Sequence, residues 1–311
     1  MSNKVIVNEV GLRDGLQNQP KHVPTEGKLA ILDALIAAGV RSVEATSFVS
    51  PKAVPQMADA ADVFAGLPLD KGVSYEALVP NEKGYERAIG AGAKTVALVL
   101  AATDTMNRKN INMTLDEAIG VNIAVIKRAK REGYRARSYI STAVHCPFEG
   151  YVAPEVVFDI AAKMADAGAD ELVVSDTTGG GNPAQVKFLF ETLAKRYGAD
   201  MLSGHFHDTR GMGLVLTWAA LECGIRKFDS SIGGLGGCPF APGASGNLAT
   251  EDLVFMLNES GFETGIEMDG LRAAIGVAET QTGLKLGGRI MSWYESQARR
   301  EKAKASSAAA E

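Results

Sequence analysis

Short apolar, β-rich runs recur along this chain, and each gives way to a helical spacing of apolar positions. The runs are Val5–Val10, Ser42–Ser47, Val73–Val79, Thr95–Leu100, Arg137–Thr142, Glu171–Ser175, Leu202–His207 and Lys227–Ser231. Helical stretches follow near 26–38, 54–65, 81–91, 115–132, 154–167, 183–197, 212–223 and 248–258. Thr25 and Asn81 open two of these helices, and Gly39, Gly92, Gly133, Gly168 and Gly224 close five. Eight such alternations predict a (β/α)8 TIM barrel, in the α/β class. A doubly wound open sheet is the competing fold. It calls for a GxGxxG turn after the first strand, where this chain reads GLRDGLQ. Residues 269–296 add one or two C-terminal helices, so the catalytic domain is expected over 1–296. The remainder, 297–311, reads as a disordered tail.

At 311 residues the chain suits a single barrel, and 46% hydrophobic with 22% charged residues is ordinary for a soluble enzyme. A net charge of −5 argues against nucleic acid as the main partner. No apolar run is long enough to span a membrane, and the start of the chain lacks a targeting pattern, so the expectation is a cytoplasmic protein. Three cysteines without CxxC spacing indicate neither a disulfide framework nor a thiolate zinc site.

Barrel enzymes do their chemistry at the carboxyl ends of the strands, which turns the sequence into a map. His205-Phe206-His207 closes the seventh run. A strand has period two, so both imidazoles face one side. They are either a satisfied core pair or ligands of one divalent ion. Asp14, after the first run, and Asn247 can complete such a set. One carboxylate, two imidazoles and an amide oxygen favour Mg²⁺ or Mn²⁺ and leave Zn²⁺ or Co²⁺ possible. Asp208 is a carboxylate behind the ligands or a helix N-cap.

Arg13 beside Asp14 suits a developing oxyanion at fixed charge. Glu44 and Asp176 lie in apolar runs where a carboxylate needs a partner. Each is a catalytic group or half of a structural ion pair. Ile232 to Asp252 packs six glycines, two prolines and Cys238 into one loop. That composition suits a flap that closes on a ligand. Cys238 is a small buried hydrophobe or, near a cation and an arginine, an acidified thiol able to exchange a proton with substrate.

NEVGLRDGLQNQ, SVEATSFVSPKAVPQM, HFHDT and GGLGGCPFAPGASGNLATEDLV resemble the sequence blocks of the 3-hydroxy-3-methylglutaryl-CoA lyases, within the metal-dependent DRE-TIM superfamily. The likeness runs from about residue 5 to 285, and the cysteine loop is its most specific part. It implies metal ligands at Asp14, His205, His207 and Asn247. It implies catalytic positions at Arg13, Glu44, Asp176 and Cys238, with Ser47 and Gln17 towards the acyl-CoA substrate. The implied reaction is a retro-Claisen cleavage giving acetyl-CoA and acetoacetate. HDTRGMGL, SDTTGGGNP and HCPFEG depart from the family pattern and add Arg210 and His145 near the site. Alternatives are a lyase for a related 3-hydroxy-3-substituted acyl-CoA, a Claisen-type 2-isopropylmalate or homocitrate synthase, or a barrel that only binds. Such barrels often pair, so a homodimer is expected.

Overall fold

The computed structural model describes residues 3–236 and 246–308 (for 301–308, the backbone). Its strands are β1 Ile6–Glu9, β2 Ser42–Ser47, β3 Ser74–Leu78, β4 Thr95–Ala101, β5 Arg135–Ser141, a hairpin of β6 His145–Cys146 and β7 Gly150–Tyr151, β8 Glu171–Asp176, β9 Leu202–Phe206 and β10 Lys227–Ser230. All but the hairpin pair in parallel and close in the order β1-β10-β9-β8-β5-β4-β3-β2. The barrel read from the apolar runs is the barrel observed.

The helices are α1 Thr25–Ala37, α2 Ala60–Ala65, α3 Glu82–Gly90, α4 Asp104–Ile111, α5 Leu115–Arg131, α6 Pro154–Ala167, α7 Pro183–Tyr197, α8 Gly213–Glu222, α9 Thr250–Glu259, α10 Met268–Thr282 and α11 Arg289–Ala308. Local chemistry sets their ends. Thr114 and Glu117 form a capping box that starts α5, Asn182 and Gln185 do the same for α7, and Asn81 accepts the Gly84 N–H ahead of α3. Helix α5 buries Ala118, Ile119, Asn122, Val125, Ile126 and Ala129, one face at helical spacing. Gly39 after α1 has a φ of 105°, and a Cβ there would lie 2.2 Å from the Gly265 carbonyl oxygen. Glycine is required at that close approach.

The β6–β7 hairpin was not read from the apolar pattern, and neither were two helical features. Helix α4, DTMNRKNI, is too polar to show a core stripe, yet it packs over the strand ends through Met106. At the other end of the chain, α11 runs to Ala308, so the expected boundary at 296/297 falls inside a helix. Alanine, lysine, arginine and glutamate are good helix formers, which accounts for a regular backbone in a polar segment.

The barrel interior is unusually charged where branched aliphatic residues commonly fill such barrels. Arg137, on β5, is 1% exposed and pairs with Glu76, with Glu171 at 2.8 Å and with Asp229 at 3.0 Å. Lys227 reaches Glu171 at 2.7 Å. Each charge in this group has an opposite charge within hydrogen-bonding reach, as burial demands.

Candidate active site

At the carboxyl end of β1 the chain makes one π-helical turn, Gly11–Gly15. The N–H groups of Arg13, Asp14 and Gly15 all converge on the Val10 carbonyl, at 3.1, 2.8 and 3.3 Å. Such single π turns occur often at functional sites. This one projects Arg13 and Asp14 over the barrel mouth. Glu9 fixes it from below: its Oε1 accepts the Gly11 and Ile232 N–H groups, and its Oε2 accepts the Thr250 hydroxyl. One buried carboxyl thus joins the turn to the base of the glycine loop.

The two histidines take the positions their alternation predicted. Phe206 faces outward against Phe190, while the rings of His205 and His207 lie 5.2 Å apart inside. One ligand atom from each of Asp14, His205 and His207 falls within 4.8 Å of the others. Asn247 joins them through a β-bridge to His207, and its Nδ2 donates to Asp14 Oδ2 at 2.7 Å. His207 Nδ1 and Asn247 Oδ1 are buried with no hydrogen-bond partner. Buried polar atoms are normally satisfied. Two orphans beside a carboxylate and a second imidazole fit an oxygen- and nitrogen-ligated divalent ion.

The electrostatics agree with that donor set. Burial favours a protonated Asp14, but Arg13 and the two histidines hold its pKa down, to about 2. Burial, with His205 adding to it, lowers His207 to about 3, so this ring is neutral and can ligate. Arg13 gives Nε to Glu44 at 2.6 Å and Nη1 to Asp14 at 2.5 Å. Arg13 is 6% exposed, its guanidinium held between the two carboxylates. Burial pushes Glu44 up to about 7, against the pull of Arg13.

A cavity of about 290 Å³ opens beside these groups. Its lining includes the polar Arg13, Asp14, Gln17, His205 and His207 and the apolar Val99, Met106 and Met113. A larger cavity, about 840 Å³, opens at the amino-terminal end of the barrel. Arg137, Glu171 and Lys227 in its lining are already paired with one another, and barrel chemistry belongs to the opposite end.

The HMGL-like family model matches residues 4–277. The chain belongs to the HMGL-like family. A hydroxymethylglutaryl-CoA lyase of Pseudomonas mevalonii is 44% identical over 273 residues, 88% of this chain and 90% of that protein. The crystal structure of a hydroxymethylglutaryl-CoA lyase from Pseudomonas aeruginosa superposes with a TM-score of 0.91 at 40% identity, covering 96% of this chain and 99% of that one. An HMG-CoA lyase from Acinetobacter baumannii, solved in complex with coenzyme A and 3-methylmalate, gives a TM-score of 0.89 at 38% identity over 94% and 95% of the two chains.

Of the residues singled out in the sequence of this family member, Arg13, Asp14, Gln17, Glu44, His205, His207 and Asn247 come together at one end of the barrel. Cys238 lies outside the described residues. Ser47 is fully buried on β2, its hydroxyl without a partner, and is not among the residues lining the cavity. Asp176 is buried too: its carboxylate accepts the Gly180 N–H at 3.0 Å and the Gly181 N–H at 2.9 Å. Asp208 accepts the N–H of Gly213, the first residue of α8, at 2.8 Å, but Met212 and not Asp208 occupies the N-cap position. His145 is half-buried, with Nδ1 3.3 Å from the Thr178 hydroxyl.

Sequence reasoning missed Asp229, Tyr139 and Arg137. The Tyr139 ring stands edge-on to His205 at 5.9 Å, and Asp229 Oδ2 lies 3.1 Å from His205 Nδ1. The argument that singled out Glu44, a charge inside a strand, applies to Arg137 in RARSYI and Asp229 in KFDSS; it marks both as charges that need a partner but does not say which.

Proposed function

We propose that this chain cleaves 3-hydroxy-3-methylglutaryl-CoA to acetyl-CoA and acetoacetate. The reading rests on one observation above all: Arg13 stands against the cluster of Asp14, His205 and His207 at the carboxyl end of the barrel. Asp14, His205, His207 and Asn247 would hold the ion, Mg²⁺ or Mn²⁺ by the oxygen and imidazole donors. When bound, such an ion polarises hydroxyl and carboxylate oxygens and eases proton loss from the hydroxyl.

The reaction removes the proton of the C3 hydroxyl and breaks the C2–C3 bond. The bonding electrons pass into the thioester as an enolate, and a proton returns to C2. Arg13 serves the enolate oxygen. Its guanidinium keeps its charge throughout, and Glu44 and Asp14 hold it in place, so little reorganisation is needed as negative charge develops. Cys238 is the candidate donor to C2. Asp176 shapes the turn at Gly180 and Gly181, and Gln17 faces the acyl-CoA from the cavity wall.

The enzyme is placed in the cytoplasm by this reading; among the described residues no helix is long and apolar enough to cross a membrane. Exposed Val215 and Trp218 on α8 and Trp293 on α11 fit pairing as a homodimer.

Mass spectrometry of products from 3-hydroxy-3-methylglutaryl-CoA with Mg²⁺ or Mn²⁺ tests the activity. Acetyl-CoA and acetoacetate in equal amounts are expected. Free CoA released from acetyl-CoA plus a 2-oxo acid, with no cleavage of the hydroxy thioester, would mark a synthase instead.

A further inference from the structure

Asp229 and His205 are register partners on β10 and β9, and both side chains enter the barrel. Asp229 Oδ2 lies 3.1 Å from His205 Nδ1 and accepts the Tyr139 hydroxyl at 2.6 Å. Its Oδ1 accepts from Arg137 Nη2 and from Asn8 Nδ2, each at 3.0 Å. A carboxylate so placed can only accept. The nitrogen facing it must therefore carry the hydrogen. We infer that Asp229 is a positioning residue that locks His205 as the Nδ1–H tautomer and turns the Nε2 lone pair towards Asp14 and His207.

The inference rests on the metal-centre reading of the proposed function and deepens it. A carboxylate behind a ligating imidazole fixes the ring and raises its basicity. Here the carboxylate is itself held rigid. Arg137 is clamped by Glu76 and Glu171, and Glu171 in turn by Ser203 at 2.7 Å and Lys227. The charges of this group do not cancel: Arg137 and Lys227 face Glu76, Glu171 and Asp229, one negative charge in surplus. Asp229 is the member of this group that touches the His205 ring, and it meets the other candidate ligands only through that imidazole. His207, whose Nδ1 has no partner, lacks such a support. The two histidines are thus inequivalent: one is preset by the barrel, and the other is oriented by what it binds.

The chain has four histidines, so ¹⁵N-histidine NMR of the metal-free full chain can resolve each ring. Burial lowers the His205 pKa, but the Asp229 and Asp14 carboxylates raise it on balance, so spectra are taken on the alkaline side of its titration. There His205 is expected as a neutral ring protonated on Nδ1, and Asp229→Asn should weaken that preference. In calorimetry Asp229→Asn should lose about 10–100-fold in Mn²⁺ affinity, the usual cost of losing such a support. A neutral wild-type His205 protonated on Nε2 alone, or a folded Asp229→Asn that binds Mn²⁺ as tightly as wild type, overturns the inference. If Asp229→Asn does not fold, Tyr139→Phe decides. It removes one hydrogen bond to Asp229 without removing a charge, and unchanged Mn²⁺ affinity and ring spectrum there would count against the inference. Should wild type bind no Mn²⁺ at all, the metal-centre reading fails, while the spectrum still decides the tautomer.

Discussion

Asn247 Nδ2 donates to Asp14 Oδ2 across 2.7 Å, joining two residues 233 positions apart in the chain. The same Nδ2 donates to the Leu235 carbonyl at 3.3 Å, which leaves Oδ1 buried and unpartnered on a residue bridged to His207. One side chain therefore orients the carboxylate and offers an oxygen of its own. Asn247→Ala removes both functions, and Mn²⁺ affinity should fall by about 10–100-fold or more. His207→Ala should lose at least as much. Calorimetry on the two variants checks this, and unchanged binding by either refutes its place in the ligand set.

The contacts of Arg13 make a second expectation. Nε is committed to Glu44 and Nη1 to Asp14, a fork geometry that an ammonium cannot reproduce. Arg13→Lys keeps the charge but loses the pairing, and kcat should drop about 10²–10³-fold, the range for loss of one oxyanion donor. Substrate KM should move far less. Steady-state kinetics separates the two, and a change confined to KM would reassign Arg13 to substrate binding.

The barrel was legible because strand and helix spacing are local properties. Ser42–Ser47 and its neighbours announce themselves by composition, and each glycine closing a helix marks its end with a positive φ. The two histidines were legible by the same token, since their alternation fixes a common face. What stayed hidden depends on residues distant in sequence. Asp229 means little until β10 lies beside β9 with His205 one rung across. Glu9 reads as an ordinary strand residue until the turn at Gly11 and the loop base at Ile232 fold onto its carboxyl. Helix α4 escaped notice because its packing rests on little more than Met106 and Asn107.

Cys238 follows from chemistry at the loop. If its thiol returns the proton to C2, Cys238→Ala should fold and bind Mn²⁺ as wild type does while turnover falls about 10²–10⁴-fold, the span of general acid catalysis. Kinetics alongside calorimetry makes the comparison. Full turnover by the alanine variant removes the cysteine from the chemistry.

Glu9 sets a pH dependence that does not involve the metal ligands. Burial raises its pKa from 4.5 to about 7, partly offset by the donors Thr250, Ile232 and Gly11. The folded chain therefore holds a proton that the unfolded chain has released once the pH passes 4.5. In that interval the native state binds more protons, so stability falls as pH rises. The contribution is complete below pH 4.5, is lost as pH climbs through about 7, and changes little beyond. Glu9→Gln cannot titrate. Thermal melts between about pH 5 and 8 should show the wild type losing more stability than Glu9→Gln across this window. Parallel melting curves for the two proteins would show that Glu9 is ionised throughout, and that the turn carrying Arg13 and Asp14 rests on a charged carboxylate.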